Sequence, residues 1–409
     1  MISLNLWNCQ KQPNTRMDWK VEERNINAFF ALVRAGLWAD VESTGFLDQV
    51  FAEPVDWDKV YQLSGEQSVQ GLVLQGIDCL MFQDSLTSES AKPSARLNIP
   101  QELLLQWIGE MQMQEQQNKA MNDFIGKIVG KMRTAGIYTL LVKGQGVAQC
   151  YEKPQWRVSG DVDFYLSNDN YEQAKEFLMP LAQSVEPEGE YQKHLNMTID
   201  SWVVELHGSM RCGLSKRMDK VIDGIHHEIF YEGYVRSWQN GHTQVFLPSA
   251  GNDVIIVFTH FLKHFFKGGI GLRQICDWCR LLWTYRDSIH YKQLEKRLSS
   301  AGLMTEWKAF GTFAVEYLGM PREAMPFYSA DGRWKNKAKK IMQLTLDSAD
   351  IERRDKSYFE NNPYAIRKAI SFGRRCSDLL RVAGVFPMDS LRFFPCIVIR
   401  GLKSAAKGE

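Results

Sequence analysis

A chain of 409 residues is too long for one ordinary core, so two or three domains are expected. Its 44% hydrophobic and 24% charged residues are those of a globular protein in water rather than of a disordered or fibrous chain. The net charge of +1 excludes a global pull toward nucleic acid or an anionic membrane, although residues 331–409 hold 17 Lys and Arg against 9 Asp and Glu.

The first residues, "MISLNLWNCQKQPNTRMDWK", lack the basic start and continuous apolar core of a signal peptide. No uncharged apolar run approaches the roughly 18–20 residues that a membrane-spanning helix needs. The eight cysteines are scattered, so they read as reduced thiols and the expected location is the cytoplasm.

Residues 20–82 read as helices. "RNINAFFALVRAGLW" sets Ile26, Phe29, Phe30, Val33 and Leu37 on one helical face, and "WDKVYQLSGEQSVQGLVLQGIDCL" predicts a helical pair. The Ser-rich stretch 83–100, with two prolines, is expected to be an exposed loop. From Gln101 to about Ala135 a long helical pattern follows, with Gly136 placed to end it.

The pattern then changes. "IYTLLVKG" (137–144), "DVDFYL" (161–166), "NMTID" (196–200) and "SWVVELHG" (201–208) are short β-branched or aromatic runs, and "SNDNYEQAKEFLMPLAQ" lies among them as a helix that Asn168, Asp169 and Asn170 can cap. This α/β unit of about 75 residues is embedded in an otherwise helical protein. After Pro248 the helical periods resume, through "NDVIIVFTHFLKHFF", "GLRQICDWCRLLWTYR" and "YKQLEKRLSSAGLMTEWKAFGTFAVEYLG". The last stretch is basic and less regular. The expected organisation is a helical region 1–100, an α/β core 101–248 with a long leading helix, and a helical region 249–409 with a basic tail.

Chemistry concentrates in the α/β unit. In a strand, Asp161 and Asp163 point to one face while Val162 and Phe164 point to the other. Two carboxylates held side by side at about 4 Å repel by roughly 4 kcal/mol at an effective dielectric of about 20. A divalent cation with oxygen ligands turns that penalty into binding energy, and Mg²⁺ is the usual occupant where phosphates are also held. In "SWVVELHGSM", Glu205 and His207 share a face of a second strand, so three carboxylates can gather at one spot. "LLVKGQG" runs a strand into Lys143-Gly144, a turn where the backbone can approach a phosphate; Lys143 or Arg157 can add positive charge there, and Ser159 a further contact. His207 is either a partner of Glu205 or a surface histidine.

The order of these parts resembles the DNA-polymerase-beta-type nucleotidyltransferase superfamily. More closely, "LLVKGQGVAQCYEKPQWRVSGDVDFYL…VVELHGSM" resembles a family of bacterial proteins known as uncharacterised nucleotidyltransferases. The core likeness covers residues 135–210, and a looser one reaches about residue 285. The resemblance implies an α+β fold with a small mixed sheet packed against helices, flanked by helical regions. It also implies a site with one or two Mg²⁺ ions and transfer of a nucleoside monophosphate from an NTP, ATP among them, to an acceptor hydroxyl. Asp161, Asp163 and Glu205 would hold metal, Glu205 could also act as general base, and Gly144 with its neighbouring amides would hold the phosphates. This chain departs from the superfamily at the turn: Gln145 follows Gly144 where Ser or Gly is usual, and Asp161 comes 17 positions after Gly144.

Two other readings stand beside this one. The altered turn admits a nucleotide-binding or scaffold protein without turnover. His260 and His264, four apart on a helix, with Cys276-x-x-Cys279 beyond them, make a zinc site arithmetically possible, although the cysteines also read as core. Arg273, Asp277 and a histidine are further candidates to line an acceptor cleft. The acceptor is open, and the lack of overall basicity speaks against a long nucleic acid.

Overall fold

The computed structural model describes residues 18–38, 50–87, 97–188, 193–267, 269–354, 373 and 376–407. Among the described residues the first helices are α1 (Asp18–Trp38), α2 (Trp57–Glu66) and α3 (Gln70–Thr87). The periodic face of α1 is buried, with Phe29, Val33 and Leu37 at 1% exposure or less. α1 and α3 pack backbone to backbone. A Cβ on Gly36 would lie 2.0 Å from the Leu72 carbonyl oxygen, and one on Gly76 2.1 Å from that of Leu32, so each position has room only for hydrogen. Helix α3 continues to Thr87, into the stretch expected to be loop from residue 83; residues 88–96 lie outside the described residues.

Helix α4 (Gln101–Thr134) is the long helix the sequence predicts, and Gly136 follows it at φ +79°. It joins two cores. Leu103, Trp107 and Met111 of its first half pack with α1–α3, whereas Met121, Phe124, Ile125, Ile128, Val129 and Met132 pack beneath the sheet.

The sheet is larger than the sequence suggested. Seven strands, β1 (Thr139–Val142), β2 (Asp161–Leu166), β3 (Ser184–Val185), β4 (His194–Ile199), β5 (Trp202–His207), β6 (Val235–Asn240) and β7 (Thr243–Pro248), run in the order β3-β4-β5-β2-β1-β7-β6. It is mixed, with β2 parallel to β5 and β1 parallel to β7. The fold is therefore α+β with a mixed sheet among helices. Sequence reading missed the β6–β7 hairpin, although Asn240-Gly241 between two runs is a strong short-range turn signal. It also missed α7 (Lys216–Tyr231), whose Met218, Ile222, Ile225 and Ile229 recur at three and four. The helix after β2, α6, spans Asn168–Leu178, and its cap is Ser167, which accepts from the Asn170 N–H, rather than the Asn-Asp-Asn run.

One sheet face is apolar: Val162, Phe164, Leu195, Met197, Val204 and Leu206 meet α4 and α6. The other carries Asp161, Asp163, Glu205 and His207 and turns toward α5 (Gly144–Ala148), α8 (Ala250–Phe265) and α9 (Leu272–Thr284). Alternation along β2 and β5 produces this division.

Helices α10 (Tyr291–Ala301), α11 (Met304–Leu318), α12 (Gly332–Arg354) and α13 (Pro387–Lys407) follow, with a further helical stretch at 376–383. The single pattern expected over 291–319 divides at Gly302, φ +74°, and the irregular ending is instead the helix α13, with Pro395 inside it. Apolar residues of α1–α3 and of α8–α13 belong to one continuous cluster, so the N-terminal and C-terminal helices share a core. The six cysteines whose side chains are described are free thiols; Cys9 and the Cys396 side chain lie outside that set.

Glu306 of α11 is fully buried and faces Asp389 of α13; burial first, and Asp389 second, push its carboxyl well above the usual carboxylate range. The folded chain keeps this proton after the unfolded chain, ionising near 4.5, has lost it, so stability falls as pH rises past 4.5. Glu306→Gln is expected to gain on wild type as pH climbs from the acid range to mildly alkaline solution, read by denaturant midpoints. Gly76→Ala is expected to lower stability by about 1–3 kcal/mol, because its methyl meets backbone rather than a yielding side chain.

Candidate active site

The β2–β5 register builds the site. These strands are parallel and put Asp163 directly opposite Glu205, with Asp161 two residues back on the same face. One carboxylate oxygen from each of Asp161, Asp163 and Glu205 falls within a group spanning no more than 4.8 Å. The convergence anticipated from Asp-x-Asp and Glu-x-His is thus present in the fold.

Their surroundings decide how the charge is borne. Asp163 is 2% exposed. Burial opposes its ionisation, but Lys143 Nζ at 2.7 Å and His207 Nε2 at 2.7 Å from the same Oδ1 outweigh it and hold the carboxyl below its ordinary value. Hydrogen bonds from His194 (Nε2 to Oε2, 3.1 Å) and then His207 (3.4 Å) hold Glu205 far below the carboxylate range. Asp161 goes the other way, raised by burial and by Asp163. His207 is therefore no surface histidine: it is 8% exposed and bridges two of the three acids.

The turn after β1 is strained. Lys143 has φ 57° and ψ −144°, a region that non-glycine residues rarely occupy, and Gly144 follows at φ +37°. The reversal brings Lys143 Nζ back over the sheet to Asp163. Gln145, the departure from the superfamily's turn, faces away from the acids. It is 1% exposed, and its amide donates to Asn118 Oδ1 of α4 at 2.8 Å. Asn118 in turn donates to the carbonyls of Gln155 and Arg157, at 2.7 and 2.8 Å. Gln145 thus braces the loop that leads into β2, a use that a serine is too short to serve.

A cleft opens above the acids, lined by Lys143, Gly144, Arg157, Ser159, Asp161 and Asp163 on the sheet side. Val257, His260 and Phe261 of α8 and Arg273, Gln274 and Asp277 of α9 face them. Arg157 is buried and clasped by Asp277, Nε to Oδ1 and Nη2 to Oδ2 both at 2.7 Å; burial opposes its charge, and Asp277 more than restores it. Arg157 Nη1 donates to Ser159 Oγ at 2.7 Å, and Tyr151 OH donates to Asp277 at 2.8 Å. Arg273 donates to the Val158 carbonyl at 2.8 Å. His260 is held well below its ordinary value by burial and by Lys143, so its imidazole is neutral. His264 is likewise lowered, to about 4, by burial and Lys263.

The four residues of the zinc alternative do not assemble. His260 and His264 lie side by side along α8 with their rings tilted at 53°, but Cys276 and Cys279 are wholly buried on α9, and burial pushes both thiols up. Among the described residues, no three of the four bring ligand atoms together.

Sequence reading missed His194. It begins β4, two residues before the expected strand, and the β4–β5 register sets it opposite His207. Its imidazole stacks on that of His207, with centroids 4.7 Å apart and planes at 12°. Extending the strand's alternation back from Asn196 would have put a histidine on the acidic face.

A family described as "Uncharacterised nucleotidyltransferase" matches residues 53–319. The chain belongs to this family. It is accordingly a nucleotidyltransferase, a transferase of phosphorus-containing groups. The matched span takes in α2, the whole sheet and the helices through α11, so it covers every residue of the cleft. No curated protein and no solved structure matches the chain.

The Arg157–Asp277 clasp ties the loop before β2 to α9 across the cleft. Removing one partner strands a buried charge, and Asp277→Ala is expected to lose about 3–5 kcal/mol, measured by chemical denaturation.

Proposed function

We propose that this nucleotidyltransferase moves a nucleoside monophosphate from an NTP to an acceptor hydroxyl, within a polymerase-beta-like core, using Mg²⁺ held by Asp161, Asp163 and Glu205. The observation that carries the reading is the meeting of three carboxylates from β2 and β5 beside a cleft walled by Lys143, Arg157 and Arg273. The donor set fits the ion: hard oxygens from short acidic side chains are what Mg²⁺ takes. When bound, the ion would neutralise phosphate charge and lower the pKa of the acceptor hydroxyl.

The chain's own groups do the rest. Gly144 lets the backbone come close to the phosphates without a side chain in the way. Lys143, already over the acids, offers its ammonium to the phosphate tail once Asp163 is engaged elsewhere. Arg157 and Ser159, locked by Asp277, form a rigid wall. Of the two roles implied for Glu205, ligand suits it better than base, because a carboxyl held so far below its ordinary value accepts a proton poorly. His260, neutral and facing the cleft from α8, together with Arg273 and Gln274, borders the space left for an acceptor. Among the described residues no helix is long and apolar enough to cross a membrane.

A non-catalytic nucleotide binder is the second reading, favoured by the Lys143–Asp163 ion pair, which sets a cation against a proposed ligand oxygen. The two readings part on pyrophosphate. The transfer reading expects release of pyrophosphate from NTP with Mg²⁺ and acceptor. It also expects at least about a 100-fold loss in Asp161→Asn, equal to two or more steps of 1.36 kcal/mol, with the circular dichroism unchanged. Asp161→Asn is cleaner than Asp163→Ala, which would strip Lys143 and His207 of their carboxylate. Nucleotide-induced thermal shifts with no pyrophosphate, across the four NTPs and a panel of hydroxyl acceptors, would leave the binder reading.

A further inference from the structure

Beside the three acids stands a second set of donors. His194 Nε2, His207 Nε2 and a Glu205 carboxylate oxygen lie within 4.8 Å of one another. The antiparallel β4–β5 register brings the two histidines face to face, and their stacking aims both Nε2 atoms at the same Oε2, at 3.1 and 3.4 Å. Asp163 Oδ1 approaches the same His207 nitrogen at 2.7 Å. In a tetrahedral site with bonds of about 2.0–2.1 Å the ligand atoms stand about 3.3 Å apart. The two nitrogen-to-oxygen distances here bracket that edge length.

We propose that the chain carries a second, nitrogen-ligated cation position, formed by His194, His207 and Glu205, that takes a divalent transition metal of the zinc class rather than Mg²⁺. Two imidazoles and a carboxylate are a donor set for zinc or cobalt, whereas Mg²⁺ keeps to oxygen and to water. Glu205 belongs to both donor sets, and a shared carboxylate is how paired ions come to stand about 3.5–4 Å apart. The strands already hold both rings, so little ordering remains to be done on binding. The competing account is that the imidazoles only orient Glu205 and Asp163 by hydrogen bonding. The hydrogen bonds of the metal-free chain put a proton on each Nε2, and metal ligation displaces both, so the two accounts differ in whether a cation can take the place of those protons. The proposal rests on the transfer reading only in sharing Glu205 with it.

The test uses the full chain stripped of metal by a chelator and titrated with Co²⁺, a spectroscopic stand-in for zinc. The expected result is a visible absorption band that saturates near one equivalent, is displaced by Zn²⁺ and survives a large excess of Mg²⁺. His194→Ala and His194→Gln, which differ in how far they disturb packing, should each weaken Co²⁺ binding at least about 10-fold, while Asp161→Asn keeps the band. Nitrogen couplings in the EPR spectrum of Cu²⁺, an imidazole-seeking ion, bound to the wild-type chain give a readout for which no variant need fold. Displacement of Co²⁺ by Mg²⁺ as readily as by Zn²⁺, undiminished binding in both His194 variants, or the lack of nitrogen couplings would overturn the proposal. A cobalt band with the expected behaviour in a chain that never releases pyrophosphate supports this position and removes the transfer reading. Normal Mg²⁺-dependent transfer without the band does the reverse.

Discussion

The site depends on one electrostatic constraint: Asp163 and Glu205 are held opposite each other on parallel strands, with Asp161 alongside. Apolar residues on the reverse of both strands, Val162, Phe164, Val204 and Leu206, lock the register by burial against α4 and α6. A slip by one residue would turn every one of those side chains into the wrong layer. The acids therefore cannot relax their mutual repulsion by moving apart along the sheet. What relieves it is imported charge and hydrogen bonding, from Lys143 at the end of β1, His207 on β5 and His194 on β4.

The opposite wall of the cleft is built with equal economy of motion. Arg157 arrives from the loop before β2, Asp277 from α9, and their two-point contact joins the sheet to the C-terminal helices. Gln145 and Asn118 anchor the same loop from beneath. A buried ion pair of this kind adds little net stability over an apolar substitute, but it specifies one geometry, since any other arrangement leaves charge unpaired in the interior. The cleft thus combines a rigid basic rim with an acidic floor, a distribution suited to an anionic tail that arrives with a cation.

Much of this was readable beforehand, and the exceptions follow a physical pattern. Alternation in "DVDFYL" and "VVELH" identified the inward and outward faces correctly, because both strands are anchored by one continuous apolar layer. The β6–β7 hairpin escaped because its outer strand, "VRSWQN", is an edge strand with no buried run. Helix α3 runs on to Thr87, past the expected boundary at residue 82. Ser167 rather than Asn168 caps α6, since only the residue that precedes the first helical turn can turn its side chain back to the free N–H groups.

Local sequence determined which residues are acidic, that they alternate out of the core, that a glycine-bearing turn precedes them, and that helices flank the unit. These are short-range matters, set by side-chain period and backbone freedom within a few residues. Tertiary structure alone decided that Arg157 belongs to Asp277, 120 positions on, that Gln145 serves α4 instead of a phosphate, and that His194 joins the acids. Each of those pairings depends on strand register or helix docking between distant segments. The free energy that chooses such partners comes from burial of the whole core, which no local window of the chain contains.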